Sequence, residues 1–363
     1  MAKRVGVDKW LFFTTLVLVV TGLVMVFSAS AVVDQERYHS AYKFVTTQAV
    51  WALLGVLALL VLMQVDVSHY NSPRFVYPAI CVTTLLLVLV FLMPGSHHTH
   101  RWIRLGDFSF QPSEIAKPVL VLFLAWFLHN RLDSMRDWRH TLLPAAVVPM
   151  LFVLLVVAQP DLGTALVLAG VTGIMLVLAG LEWKWLFAAV CATLPGLAAL
   201  LLMVPWRRAR LLVFLNPESD PQGAGYHIYQ SLIAVGTGGF AGRGYMEGMQ
   251  KLFYLPEAST DFIFANIAEE LGFIGAMFIV LLFAIFGMRG LRAAFRSTDP
   301  FSRLTAFGLT TTILLQAFFN ISVVLSLVPN KGIPLPLISH GGTSVFCTLA
   351  SIGILLNISR QAE

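Results

Sequence analysis

Four polar stretches interrupt an otherwise apolar sequence, and their residue types suit acid–base and anion-binding chemistry. In Tyr254-Leu255-Pro256-Glu257-Ala258-Ser259-Thr260-Asp261-Phe262-Ile263-Phe264, Asp261 stands where a polar loop meets an apolar run and has aromatic neighbours. A carboxylate in such a partly desolvated place is expected to have a raised pKa, which suits a general base. N-capping the helix that follows is the plainer use of an aspartate there. Glu269 and Glu270 come about two turns later, too deep to cap, and add to the expectation of a polar cavity.

The second stretch is Gln111-Pro112-Ser113-Glu114-Ile115-Ala116-Lys117, where Pro and Ser suit a helix start. Glu114 and Lys117 lie at i,i+3 and share a face, so they can pair. The pair either stabilises the helix end alone or carries Lys117 inward to bind an anion. Third, Asp161 follows Gln159-Pro160 and reads as the N-cap of the next helix, a use compatible with a site role. Fourth, Pro329 to Ser344 holds three prolines and three glycines. Irregular backbone near membrane depth is tolerated only when buried in protein or lining water. The N–H groups of this stretch, with Lys331, suit phosphate oxygens at the start of the last helix. His97, His98 and His100 look metal-like but are too crowded to converge on one ion, so a surface loop is expected there.

The elements that must position these residues are membrane spans. Of 363 residues, 58% are hydrophobic and only 12% charged, against roughly 25% charged in a soluble domain. That leaves too few charges for a water-facing surface, so lipid is the main solvent and the +5 net charge needs no nucleic acid partner. Apolar runs predict about ten transmembrane helices, near 10–33, 45–65, 75–94, 114–130, 141–158, 163–181, 184–204, 263–288, 304–328 and 339–358. The fold class is therefore an all-α polytopic integral membrane protein, a single domain over 1–363. The first run, from Trp10 to Phe27, is too long for a signal-peptide core and reads as a retained span despite Ser28-Ala29-Ser30-Ala31.

Lys3, Arg4, Lys9, Arg131, Arg136, Arg139, Arg289, Arg292, Arg296 and Arg303 crowd one set of loops, with Arg74, Lys184 and Arg360. The positive-inside rule puts that side, and both termini, in the cytoplasm. A long extracytoplasmic loop, about 205–262, then joins the seventh and eighth spans; its aromatics argue for order and for packing on the membrane surface. Cys81, Cys191 and Cys347 lie in apolar runs without paired or metal-like spacing and read as small packing residues. These properties fit a transporter, a flippase or a membrane enzyme acting on an anionic lipid, and composition does not choose among them.

The motifs choose. Phe27-Ser28-Ala29-Ser30-Ala31, Arg101-Trp102-Ile103, Gln111 to Lys117, Pro160-Asp161-Leu162-Gly163-Thr164, Asn216-Pro217 with Gly225-Tyr226, Gln230-Ser231-Leu232-Ile233-Ala234, Gly238-Gly239, Leu255-Pro256-Glu257, Thr260-Asp261-Phe262-Ile263-Phe264, Glu269-Glu270-Leu271-Gly272 and Leu335-Pro336-Leu337-Ile338-Ser339 with Gly341-Gly342 occur in this order. Together they resemble the SEDS family (shape, elongation, division and sporulation), the bacterial peptidoglycan polymerases. Gln250-Lys251-Leu252-Phe253-Tyr254 and Asn330-Lys331-Gly332 are closer to its division (FtsW-like) branch than to its elongation (RodA-like) branch. Ser259, His340 and Thr343 depart from the family pattern, which usually has His, Tyr and Ser there. Ser259 puts in doubt a histidine that tunes Asp261, though not the aspartate.

The resemblance implies a glycosyltransferase of the bacterial cytoplasmic membrane, with its site on the extracytoplasmic side. Lipid II, an undecaprenyl-diphosphate-linked disaccharide-pentapeptide, would be joined into β-1,4 glycan strands, with Asp261 as the catalytic base. Lys117 held by Glu114, with Arg210 and Lys331 as weaker candidates, would stabilise the departing diphosphate. Asp161, Glu257, Thr260 and Ser339 complete the expected substrate-binding set. No carboxylate cluster proposes a metal site, and a divalent cation held through the diphosphate stays open. The implied partners are a class B penicillin-binding protein transpeptidase and other division proteins. A lipid II flippase and a non-catalytic division scaffold are the alternatives.

Overall fold

The computed structural model describes residues 6–93, 101–105, 108–132, 138–215, 223 and 225–361. The three histidines of the 94–100 stretch, Lys3, Arg4, Arg136 and the Asn216-Pro217 motif lie outside the described residues, as do the side chains of Arg139 and Arg210.

Helices occupy all ten stretches predicted to span: α1 Lys9–Tyr38, α2 Lys43–Leu62, α3 Pro73–Leu89, α4 Pro112–His129, α5 Leu143–Ala158, α6 Leu162–Leu178, α7 Trp183–Leu202, α10 Ile263–Arg296, α11 Pro300–Val324 and α12 Gly342–Gln361. Among the described residues eight helices are long and apolar enough to cross a membrane, and α6 is apolar but shorter. The chain is a multi-pass α-helical membrane protein. The starts follow local chemistry. Asp8 caps α1 by accepting from the amides of Trp10 and Leu11. Ser72 caps α3 with Pro73 in its first turn, and Pro112 opens α4. Asp299 caps α11 ahead of Pro300, which starts that helix before the expected 304. The prolines of the 329–341 segment keep it irregular, so α12 starts later than the expected 339.

Two more helices lie in the predicted long loop: α8 Pro205–Leu215 and α9 Tyr226–Gly238. Strands β1 Ile103–Leu105 and β2 Phe108–Phe110 form an antiparallel hairpin, with Arg104 opposite Ser109. Helices α4, α11 and α12 have most of their spans buried, whereas α2, α3 and α5 are largely exposed. Lipid gives no hydrophobic drive between helices, so close packing must hold them. Helix α2 packs on α12, where Gly55 meets the Leu349 side chain and Gly353 meets the backbone of Leu59. Buried hydroxyls of Thr15, Thr172, Thr312 and Ser351 donate to carbonyls one turn back, which matches these four in an apolar setting. Helix α7 touches little except α6 and α8, and Trp183, Phe187 and Leu194 are exposed along it.

Helix α10 is not continuous. At Gly272 the backbone turns to φ 65°, ψ −164°, a conformation open to glycine. The bonds that Phe273 and Ile274 would make to Glu269 and Glu270 are replaced. Phe273 N donates to Gly239 O and Ile274 N to Phe240 O, while Arg243 N and Gly244 N donate to the freed carbonyls of Glu269 and Glu270. The loop after α9 is thus laced into the break, and these four amides and four carbonyls all have partners.

Candidate active site

Asp261 ends the segment before α10. The N-cap position of that helix belongs to Phe262 and no side chain caps it, so Asp261 is not a helix cap. Its backbone is held from several sides. The Asn320 side-chain amide donates to Asp261 O at 2.8 Å and to Ile333 O at 2.7 Å. Ser339 Oγ donates to Thr260 O at 2.6 Å and accepts from Leu335 N at 2.7 Å. The His340 amide donates to Ser259 O at 2.9 Å. Gln48 of α2 closes the frame by donating to Ser339 O and accepting from Gly341 N. On the far side the His227 ring stacks on Phe262.

Asp261 is half-buried on the wall of a cavity of about 350 Å³. Asp161, Glu257, Thr260, Arg101, Arg104, Gln111 and Trp102 share that wall, with Gly332, His340 and Ser344 from the segment entering α12. Glu257 sits in the left-handed region at φ 55°, and Thr260 Oγ1 donates to its carboxylate at 2.9 Å. Asp161 does cap α6, accepting from Thr164 N at 3.1 Å, and also accepts from Thr164 Oγ1 and Gln111 Nε2. A Cβ on Gly332 would lie 2.5 Å from Asp261 Oδ2, so only glycine lets this backbone pass so close to the carboxylate.

Glu114 and Lys117 do not reach this cavity wall. Both are buried, and Lys117 Nζ donates to Glu114 at 2.7 Å and to Gln316 Oε1 at 2.6 Å beside a separate void of about 10 Å³. Lys117 reaches the Asp261 frame only through Gln316, whose amide donates to Pro334 O at 3.0 Å. Lys331 is half-buried next to Gly332, and burial pulls its pKa below the ordinary lysine value. Ser339 is a backbone staple. Glu269 and Glu270 do not add to the cavity either, contrary to expectation. Glu270 accepts from Ser28 Oγ, Lys251 Nζ and Met246 N. Glu269 accepts from Met249 N, Gln250 N and Arg243.

The residues missed in the sequence are the amides of the frame and, on the wall, Arg104. Gln48, Gln316 and Asn320 are amides inside apolar helices, a signal that was available. Arg104 gave no period to read. His340 stacks on Phe44, its ring centroid at 4.5 Å, and burial pushes its pKa down to about 4. Among the described residues no three histidine, cysteine or carboxylate side chains gather as a metal site.

The chain resembles known proteins over nearly its whole length. The sequence model of the FtsW/RodA/SpoVE cell cycle proteins matches residues 9–363. The chain is 39% identical over 365 residues to a probable peptidoglycan glycosyltransferase FtsW of Geobacter sp. (strain M18), covering 99% of each. It is also 39% identical over 365 residues to stage V sporulation protein E of Bacillus subtilis (strain 168), again over 99% of each. Among solved structures, a chain from a peptidoglycan synthase complex that coordinates polymerization and crosslinking superposes with a TM-score of 0.81 at 29% identity, over 98% of both chains. The rod shape determining protein RodA of Thermus thermophilus superposes with a TM-score of 0.71 at 26% identity, over 99% of this chain and 98% of that one.

Proposed function

The chain belongs to the FtsW/RodA/SpoVE family of cell cycle proteins and is a peptidoglycan glycosyltransferase, and on that premise we propose how its cavity performs the reaction. Asp261 is the general base. It takes the proton from the acceptor sugar's 4-hydroxyl as that oxygen attacks the donor's anomeric carbon. The bond from that carbon to the diphosphate breaks, its electron pair leaves with the phosphate oxygen, and the configuration inverts to give a β-1,4 link. The observation that carries this reading is the frame around Asp261. Asn320, Ser339 and the His340 amide hold its backbone, and Gly332 lets the chain press against its carboxylate. A base fixed in this way acts without first reorganising.

Asp161, Glu257 and Thr260 are the substrate-facing polar groups of the wall, and Ser339 is a positioning residue. Glu114 and Lys117 are also positioning residues, acting through Gln316 and Pro334. Glu114, Lys117, Glu269 and Glu270, the buried charges a flippase would draw on, all bond to protein groups, which weakens that alternative.

Lipid II is the substrate, and the cavity faces the extracytoplasmic side, a reading supported by the loop charges. The division branch is supported by the 34–41% identity to proteins called FtsW, against 26% to RodA. A crosslinking transpeptidase is the partner, a reading supported by the likeness to a chain of a complex that coordinates polymerization and crosslinking. The test is glycan-strand formation from labelled lipid II by the purified protein with that partner. Asp261→Asn should lower the rate by roughly 10² to 10⁴ with the helical content intact. Wild-type polymerisation by Asp261→Asn would sink the assignment.

A further inference from the structure

The cavity poses an electrostatic problem for a lipid diphosphate. Three carboxylates, Asp161, Glu257 and Asp261, stand on its wall beside two guanidiniums. One guanidinium is committed: Arg101 donates through Nε to Gln159 O at 3.4 Å and through Nη2 to Pro160 O, bracing the turn that carries Asp161. Lys117, the cation favoured from sequence, is enclosed by Glu114 and Gln316 beside a different void. Lys251 is enclosed by Glu270 and Ser28.

We propose that Arg104 is the cation that receives the diphosphate of the lipid-linked donor. This rests on the function proposed above and names the subsite for its leaving group. Arg104 is exposed on the cavity wall, and its guanidinium makes no hydrogen bond or ion pair among the described residues. Strand alternation buries Ile103 and turns Arg104 to the other face. The hairpin that carries it is anchored: Arg104 pairs with Ser109, and Thr343 Oγ1 of α12 donates to Ser109 O at 3.1 Å and accepts from Gln111 N at 3.3 Å. Its backbone is therefore fixed while its side chain is available. A guanidinium presents parallel N–H donors that match two phosphate oxygens, and it stays charged beside the carboxylates. As the bond to the anomeric carbon breaks, the diphosphate gains one negative charge, and donors already in place favour that change.

The test titrates undecaprenyl diphosphate, undecaprenyl monophosphate and undecaprenol into the full-length protein in nanodiscs. Wild type should bind the diphosphate tightest. Arg104→Gln should weaken diphosphate binding by roughly 10- to 100-fold and bring it level with the monophosphate. Arg104→Lys should recover part of the loss, and Arg243→Gln, away from the cavity, should change nothing. Unchanged diphosphate affinity in Arg104→Gln overturns the inference, even if polymerisation falls. Diphosphate affinity that survives Arg104→Gln but vanishes with a chelator also overturns it and gives the role to a divalent ion. An Asp261→Asn protein that polymerises normally would break the base assignment, and the Arg104 titration would still stand.

Discussion

The Glu114–Lys117 pair and the Lys251–Glu270 pair are both buried and both close, at 2.7 and 2.6 Å, yet they hold different things together. The first lies within one helix and looks outward only through Gln316. The second ties the loop after α9 to the outer part of α10 and, through Ser28, to α1. A buried charge that loses its partner is costly, so each pair is a strut. The first sets how α4 and α11 meet. The second sets whether the segment leading to Asp261 has a fixed shape at all.

The comparison predicts an order of effects. Glu270→Ala leaves the Lys251 ammonium without its counter-charge and the Ser28 hydroxyl and Met246 amide without their acceptor, so it should lie near the upper end of about 3–5 kcal/mol. Thermal unfolding measures the loss, and hydrogen exchange should place it in residues 239–257. Lys117→Met leaves only Glu114 charged and Gln316 short of a donor, nearer ~3 kcal/mol, with exchange rising in α4 and α11. A reversed order would break the distinction between the two struts. Gly332→Ala should leave stability almost unchanged while displacing the Asp261 carboxylate, for a drop of about 10²-fold in kcat. If that variant polymerises normally, the close approach is not what positions the base.

Smaller effects sharpen the picture. His340 is held neutral, its pKa pushed down to about 4, so the unfolded chain takes up the proton first as the pH falls. Stability should decline below about pH 6.5, by roughly 1 kcal/mol near pH 5.5, and level off toward pH 4. His340→Phe should flatten that slope. Last, Arg243 is 40% exposed and 3.4 Å from Glu269, which keeps its bonds to the Met249 and Gln250 amides. Arg243→Ala should cost less than about 1 kcal/mol, and less still at high salt.

The spans, the placing of Asp261 at a polar cavity and the Glu114–Lys117 pairing were legible because length, the junction of a polar loop with an apolar run and i,i+3 spacing are local signals. What Lys117 faces was not legible, because its second partner, Gln316, lies 199 residues away. The Lys251–Glu270 strut also escaped notice, since a loop rather than a helical period brings the two together. Strands as short as β1 and β2 leave no pattern, so nothing local singled out Arg104. The break at Gly272 was hidden for a similar reason: a glycine inside an apolar run gives no sign that its backbone has left the helix.

That break also bears on how the protein meets membranes of unequal thickness. The piece of α10 from Phe273 to Arg296 is about 36 Å long at ~1.5 Å per residue, enough to cross ~30 Å of hydrocarbon with length to spare. The piece from Ile263 to Leu271 is not needed for crossing. A thicker or thinner bilayer is met by tilting, and because residues 239–244 bond the backbone on both sides of Gly272, the two pieces tilt together. The level of Asp261 then follows the laced loop and the Asn320 clamp, so lipid composition should change its reach into the cavity very little.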